Sequence, residues 1–437
     1  MPRSLSVECG SISKVMKAIV VGGGIGGLSL ALSLHQVGIT VRVYEAVRDL
    51  APLGVGINLQ PAAVRELVEL GLADELAQTG IATQGFSCFN KFGQLIWSEP
   101  RGVSAGYKWP QYSIHRGQLQ FVLLRALRQR IGRHNFCSGL RLTSFEQNSD
   151  RVTAVFRDSK SATSVLDEAD ILVGADGIRS TVRRQLYPDE GEPRFAGQLL
   201  WRAAIDAEPF LGGRTMIIAG HFDQRIVVYP IGRGAKRGQL LTNWICQMTV
   251  PDSAAPGEDW NRRVPQERVL AAFDKWRFAW LDMPALIRRT PEIYEFPLVD
   301  RDPVRTWTFG RVTLVGDAAH PMHPSGSQAG SQAVIDARAL TGALLKAPDP
   351  VDALQRYDCE RRPVMTDITL RNRRLGPEAA MQLVEERAPH GFDRIDDVVS
   401  AKEIDAITAS FSSAAGLDVE SVNTRPTFVP RGYRSAS

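Results

Sequence analysis

VVGGGIGGLSLALSLHQVGITVRVYEA, Val20–Ala46, is the stretch on which the reading of the fold turns. The short apolar run Lys17–Val21 ends in glycine, as a buried parallel strand does. Ile25–Val37 then repeats apolar residues at helical spacing until Gly38 stops the helix, and Val41, Val43 and Tyr44 make a second strand. Between the first strand and the helix, Gly22, Gly24 and Gly27 spell G-x-G-x-x-G. The three glycines serve, in turn, the tight turn, the close approach of a pyrophosphate to the backbone, and the packing of helix on strand. Glu45, followed by Ala46, closes the second strand where a carboxylate accepts from both hydroxyls of an adenosine ribose. The same carboxylate repels a 2′-phosphate, so NADPH is not the expected resident. FAD and NAD present the same adenosine diphosphate, and this unit alone does not separate them.

Two later segments repeat the pattern of apolar strand, small residues with an acid, then helix. They are ADILVGADGIRSTVRRQL (Ala169–Leu186) and GRVTLVGDAAHPMHPSGSQAGSQAVIDARAL (Gly310–Leu340). Between them, Phe195–Pro297 has alternating stretches such as RIVVYPI and QLLTNWICQM that read as half-buried strands, with a helical piece at Val269–Trp280. This predicts an antiparallel sheet walling a pocket over the nucleotide domain. Thr249–Trp260 is rich in Pro, Ser and Gly and is expected to be an exposed loop. The expected division is a discontinuous cofactor domain (16–86, 110–190 and 300–375), a substrate-binding sheet domain (87–109 and 191–299), and a C-terminal helix with a mobile tail (376–437).

With 437 residues, 44% hydrophobic and 23% charged, the chain is composed as an ordinary globular protein of more than one core. The 52 Lys and Arg nearly balance the 48 Asp and Glu, and the trio Arg371, Arg373 and Arg374 reads as a solvated helix face, so no nucleic acid is expected as a partner. The cysteines Cys9, Cys88, Cys137, Cys246 and Cys359 contain no C-x-x-C pair, which argues against a disulfide framework and fits a reducing compartment. No run approaches the roughly 18 apolar residues of a membrane span, and the first fifteen residues lack a signal-peptide core. A cytoplasmic protein with a floppy leader and no membrane partner is expected. His320 and His323 form H-x-x-H in a loop with no third ligand in view, so no metal is expected.

Three motifs in order, GGGIGG (Gly22–Gly27), GADGIRS (Gly174–Ser180) and GDAAHPMHPSGSQAG (Gly316–Gly330), resemble those of the single-component FAD-dependent aromatic monooxygenases, the p-hydroxybenzoate hydroxylase-like flavoproteins. The likeness runs from about residue 16 to about 375. PLGVGINLQPAAV, WSEPRGVSAG, PQYSIHRGQLQ and DRDPVRTW look, more narrowly, like the phenazine-carboxylate hydroxylases of that family. The resemblance implies an α/β fold: an FAD-binding Rossmann-like (GR2-type) domain, an inserted, mostly antiparallel substrate sheet and a C-terminal helical segment. It implies FAD as the resident dinucleotide and NADH or NADPH as a transient reductant. Oxygen added at flavin C4a would pass, as a hydroperoxide, to a planar aromatic or phenazine-like ring, in a monomer or homodimer whose partners are that substrate and O2. Carried over by position, Asp317 would hydrogen-bond the ribityl chain. Asp176 would serve the pyrophosphate and the reductant, Arg116 would reach the cofactor from a helix start, and Asn58 and Leu142 would make backbone contacts. Pro324, Gly326 and His323 would stand beside the reacting ring, and the backbone of Ser325–Gly330, ahead of a helix from Ser331, would face the pyrimidine end of the flavin. The family usually has glycine at the position of Ala329, so an alanine at positive φ would be strained there. Trp201, Arg202, Arg225, Tyr229 and Trp244, on predicted sheet strands, are the substrate candidates, and Arg225 matches an arginine that urate-oxidising relatives place on substrate. The alternatives are an NAD(P)H oxidase of the same fold without oxygen insertion, and a urate-type hydroxylase.

Overall fold

The computed structural model describes residues 16–52, 54–251, 262–374, 378–414 and 417–430, without the side chains of 409–414. The leader, most of the Thr249–Trp260 loop and residues 431–437 lie outside them.

Five parallel strands form the nucleotide-binding sheet, in the order Val312–Leu314, Ile171–Gly174, Lys17–Val21, Thr40–Glu45, Phe136–Ser138. The central strand is apolar and buried from Ala18 to Val21 because both of its faces are covered, as parallel sheets require. Val21 pairs with Gly174, and Gly174 with Leu314, so the turns after all three motif strands open at one edge of the sheet. This is the edge at which open α/β sheets bind ligands. The helix Ile25–Gln36 buries every residue from Gly27 to Leu34 and lies against the helix Ala329–Lys346. Each fully buried leucine there contributes about 2 kcal/mol, which offsets the glycines that begin it.

The second sheet has eight strands, in the order Arg263–Val264, Ile293–Asp300, Arg194–Ala207, Leu240–Thr249, Gln224–Arg233, Thr215–Gly220, Gly85–Phe89, Leu95–Pro100. All its pairings are antiparallel except that of Thr215–Gly220 with Gly85–Phe89. Period-two alternation gives it two different faces. Leu199, Trp201, Ala203, Ile226, Val228, Trp244 and Cys246 point outward into a core beneath the helices Gln266–Phe273 and Met283–Arg289. Arg202, Tyr229 and Asn243 point the other way, to a small sheet of Gly56–Leu59, Gln111–His115 and Ile81–Thr83 that belongs with the nucleotide unit.

Three expectations change. The helix expected at Val269–Trp280 ends at Phe273, because the chain turns into a short hairpin where Phe278 meets Trp276 edge-on and stacks on Trp280, and Asp282, with Pro284 behind it, caps a second helix. Within the arginine trio, Arg373 is not part of a solvated face: it pairs with Asp300 and Asp302. The C-terminal stretch is not a single helix, and of the expected tail the part up to residue 430 is packed on the fold while 431–437 lie outside the described residues. Helices Ala379–Arg387, Ala401–Ala414 and Val419–Thr424 follow one another, and residues 417–430 lie pinned across the nucleotide domain. The Tyr107 hydroxyl donates to Leu417 O (2.6 Å), Asn423 Nδ2 to Gly106 O (2.9 Å) and Arg425 Nη2 to Glu66 Oε1 (2.6 Å), while Val429 is 1% exposed. Polar anchors, together with the buried side chains of Leu417, Val422 and Val429, hold this strap.

Candidate active site at the carboxyl ends of the parallel strands

The glycine loop is shaped by contacts that no side chain would permit. Gly22 has φ +108°, and a Cβ on it would fall 2.4 Å from Ala175 O; one on Gly27 would fall 2.0 Å from Gly22 O. At Gly24 a Cβ would meet nothing within 4 Å, so the loop borders open space at the start of the helix. Glu45 closes one side, Oε2 accepting from Gly23 N–H and Oε1 from Val47 N–H, each at 2.7 Å, which leaves lone pairs on both oxygens for a diol. Ala46 stands beside it, half-buried. Gln120 Nε2 donates to Gly23 O (2.7 Å) from the helix Arg116–Arg130. No sequence signal marks this brace, since a glutamine within a helix carries no motif.

Arg116 begins that helix with its guanidinium exposed, alongside Gly54. Asp317 is likewise exposed at the turn Gly316–Ala318. Among the described residues neither side chain has a hydrogen-bond or ion-pair partner. A cation and an anion both left unpaired beside an open glycine loop fit a ligand carrying phosphate and hydroxyl groups. Asp176, in contrast, is committed to its own turn: it accepts from the Ser180 hydroxyl, from Thr181 N–H (2.7 Å) and from Val182 N–H (3.3 Å), capping the helix Thr181–Leu186. Burial pushes its carboxyl above the usual range, against these hydrogen bonds. Gly177 beside it has φ +79° and open space around it.

The Gly-Asp turn hangs on a residue that sequence reasoning did not single out. Asp336, buried in the helix Ala329–Lys346, accepts from Gly316 N–H (3.1 Å), from His320 Nε2 and from Arg361 Nε (2.9 Å). Burial alone would raise its carboxyl, but the charges of His320 and Arg361 and the hydrogen bonds from His320 and Gly316 hold it at about 2. His320 is therefore a scaffold residue.

In the loop before that helix, Gly326 has φ +68° and Ser327 φ +54°. The helix starts at Ala329, ahead of the expected Ser331, and Ala329 has no positive φ. The strain expected at Ala329 falls instead on Ser327, because the left-handed turn is completed before the alanine is reached. Gln60 and Asn58 staple the loop in place: Gln60 N–H donates to Ser331 Oγ (2.9 Å), Gln60 Nε2 to Gly326 O (3.4 Å) and Asn58 Nδ2 to Ser327 Oγ (3.5 Å). Gly330 faces Ile57. Leu142 is not brought to this cluster by any described hydrogen bond: it sits in the strand Leu140–Gln147 opposite Phe156, its side chain in the core.

The substrate candidates divide by sheet face. Trp201 and Trp244 lie in the outer core, their indole N–H groups donating to Glu295 (2.8 Å) and Thr290 (3.1 Å), and do not face the loops. Strand parity decides this and overturns the expectation that both tryptophans wall the substrate. Arg202 (3.1 Å) and Tyr229 (2.8 Å) both donate to Gly56 O, and Asn243 Oδ1 accepts from Gly56 N–H (2.8 Å), so these three stitch sheet to nucleotide domain. Burial pushes the Tyr229 hydroxyl up to about 12 and lowers the Arg202 guanidinium. Arg225 is buried, with Nε donating to Gln247 (3.1 Å) and Nη1 to Glu378 Oε2 (2.8 Å), and the Ser325 hydroxyl donates to the same carboxylate oxygen (3.3 Å). The loop Pro324–Ser327, the sheet and the C-terminal segment thus meet at one ion pair. Next to Pro324, burial lowers the His323 imidazole, with Asp300 opposing, which leaves it neutral at pH 7. Its Nε2, 3.5 Å from Asp300, is buried without a hydrogen-bond partner.

Comparison with known proteins agrees with this geometry. A family model described as "FAD binding domain" matches residues 15–372. Phenazine 1,6-dicarboxylic acid hydroxylase of Lysobacter antibioticus is 45% identical over 363 residues, covering 81% of this chain and 88% of that protein. 3-Hydroxybenzoate 6-hydroxylase 1 of Aquipseudomonas alcaligenes is 31% identical over 359 residues, 78% of this chain and 84% of that one. Among solved structures, Klebsiella pneumoniae HpxO complexed with FAD and uric acid superposes with a TM-score of 0.71 at 24% identity, covering 94% of this chain and 97% of that one, a likeness of fold. Among the described residues, no helix is long and apolar enough to cross a membrane. The glycine loop with Glu45, the unpaired Arg116 and Asp317 and the matches over most of the chain lead to one assignment: this protein belongs to the FAD-binding aromatic hydroxylases, with FAD as its cofactor.

Proposed function

We propose that the chain uses NADH or NADPH and O2 to hydroxylate a planar heteroaromatic acid of the phenazine type. The observation that carries this reading is the buried Arg225 guanidinium hydrogen-bonded beside Ser325 of the loop at the carboxyl edge, a cation placed where the carboxylate of a flat ring would need one. The named activity of the Lysobacter relative, on a phenazine dicarboxylic acid, supports it.

Bound FAD would supply electron transfer from NAD(P)H and the activation of O2, one atom of which enters the ring while the other leaves as water. The chain supplies placement. Gly22, Gly24 and Gly27 admit the pyrophosphate, Glu45 and Ala46 the adenosine ribose, and Asp317 the ribityl hydroxyls. Arg116 offsets phosphate charge, and Asp176, by shaping its turn, presents the backbone at Gly177. The amide groups around Ser325–Gly330 lead into the helix Ala329–Lys346, and with Pro324 and Gly326 shaping the turn they would stabilise negative charge on the bound cofactor. His323, kept neutral, holds an Nε2 able to take a proton from a ring hydroxyl. The working division is cofactor binding by 16–86, 110–190 and 300–375 and substrate binding by the sheet of 87–109 and 191–299, in a cytoplasmic monomer or homodimer.

The test is NADH and NADPH oxidation by the FAD-loaded protein with phenazine-1,6-dicarboxylic acid, phenazine and uric acid, scoring peroxide and product mass. Stimulation by the acid, with one oxygen atom gained and little peroxide, is the expected result. Peroxide equal to the NAD(P)H consumed, whatever the aromatic, would replace this reading with an oxidase.

A further inference from the structure

Glu378 is the cap residue of the helix Ala379–Arg387, yet its carboxylate makes no hydrogen bond to that helix. A carboxylate at this position ordinarily finds the free N–H groups of its own first turn. Here it turns inward, is 8% exposed, and accepts from both Arg225 Nη1 and the Ser325 hydroxyl through Oε2. Arg225 in turn is held by Gln247, which donates to Gln198, so the guanidinium is fixed from the sheet side and, among the described residues, is paired with an acid only from the C-terminal side. Among the described residues its Nη2 makes no hydrogen bond. The helix carrying Glu378 is docked separately: Met381 and Val384 pack with Phe86, Cys88, Met216 and Ile218, Gln382 accepts from Phe222 N–H (3.1 Å), and Glu385 pairs with Lys91.

We propose that Glu378 is an internal counter-carboxylate that competes with the carboxylate of the substrate for Arg225, so that entry of an aromatic acid, unlike that of a neutral ring, is tied to movement of the helix Ala379–Arg387. Exchange of one carboxylate for another keeps the buried cation paired throughout, whereas an acid arriving while Glu378 stays would bring two like charges to one guanidinium. A neutral ring gains nothing from the exchange and leaves the pair closed. Ser325 belongs to the same contact, so release of Glu378 also frees its hydroxyl at the loop. Nothing is transferred covalently: one ion pair breaks as another forms.

The inference rests on the reading of an aromatic-acid substrate, and the experiment separates the two. Binding of phenazine-1,6-dicarboxylic acid and of phenazine to the FAD-loaded protein is measured by calorimetry for the wild type, Glu378→Gln, Arg225→Gln and the double variant. The expected result is acid binding tightened about tenfold in Glu378→Gln with phenazine unchanged, and no effect of Glu378→Gln once Arg225 is replaced. On the wild type alone, amide hydrogen exchange in 379–387 is expected to rise when the acid is bound and to stay constant with phenazine. That measurement decides the matter even if a variant fails to retain FAD. Acid and neutral affinities shifting together, weaker or equal acid binding in Glu378→Gln, or exchange in 379–387 unmoved by saturating acid would each overturn the proposal while leaving the substrate reading intact. Failure of the wild type to bind either compound would overturn both.

Discussion

Ser327 occupies a left-handed backbone conformation that a glycine takes at little cost and a serine does not. Its neighbour Gly326 is in the same region, so the loop between Pro324 and Ala329 concentrates the strain in one residue. Replacing Ser327 with glycine removes that strain and is expected to stabilise the fold by about 1 kcal/mol, less the unfolded-state entropy glycine adds. A denaturant midpoint unchanged or lowered would show that the Asn58–Ser327 hydrogen bond outweighs the strain. Asp336 sets a second residue-scale expectation. Its folded-state carboxyl, near 2, lies below the unfolded value near 4, so its contribution is fully present above about pH 4 and is lost as pH falls toward 2. The acid limb of stability should therefore be shallower in Asp336→Asn than in the wild type, the difference being about 2 kcal/mol between neutral pH and pH 2. Parallel acid limbs would count against Asp336 as the hub of the Gly-Asp turn. The sequence displayed the turn and its aspartate Asp317, but the hub was illegible, because nothing local distinguishes a buried acid inside a helix from a solvated one.

At the scale of the element, strands and helices with clean periodicity were readable from the sequence, as Lys17–Val21, Ile25–Gln36 and Thr40–Glu45 show. What periodicity could not give was the sign of a face. Arg202 and Trp201 are adjacent, one reaching Gly56 and the other Glu295, and either parity satisfies an alternating pattern until the partner layers are known. The C-terminal strap was illegible for a related reason: it is held by long-range polar partners and by scattered apolar residues, Leu417, Val422 and Val429, that show no local periodicity. Arg425 Nη2 contacts Glu66, whose carboxylate is fully buried and shared with Arg338, so removing the arginine leaves a buried acid with less compensation. Arg425→Ala is expected to destabilise the protein by about 2 kcal/mol and to raise proteolytic sensitivity within 417–430. An unchanged thermal midpoint together with unchanged cleavage would mean that the other contacts, among them Tyr107, Asn423 and the buried Val422 and Val429, hold the strap without Arg425.

At the scale of the whole molecule, the eight-stranded sheet meets the small sheet of the nucleotide unit at a seam that includes Gly56. Arg202 and Tyr229 share its carbonyl, Asn243 takes its N–H, and a Cβ placed there would lie 2.6 Å from Ile231, 2.7 Å from Tyr229 and 2.8 Å from Asn243. Alanine at this position would act as a shim: it would leave both cores intact and push the substrate wall away from the nucleotide domain by a few tenths of an ångström. Chemistry that depends on the placement of one ring over another is sensitive to displacements of this size. Gly56→Ala is accordingly expected to keep its FAD and most of its stability while diverting a larger share of NAD(P)H into peroxide, read as the ratio of product to reductant consumed. The missing side chain of one residue, far from the glycine loop in sequence, thus works as the focus adjustment of the enzyme, and variation at 56 offers a one-residue route to altered regiochemistry.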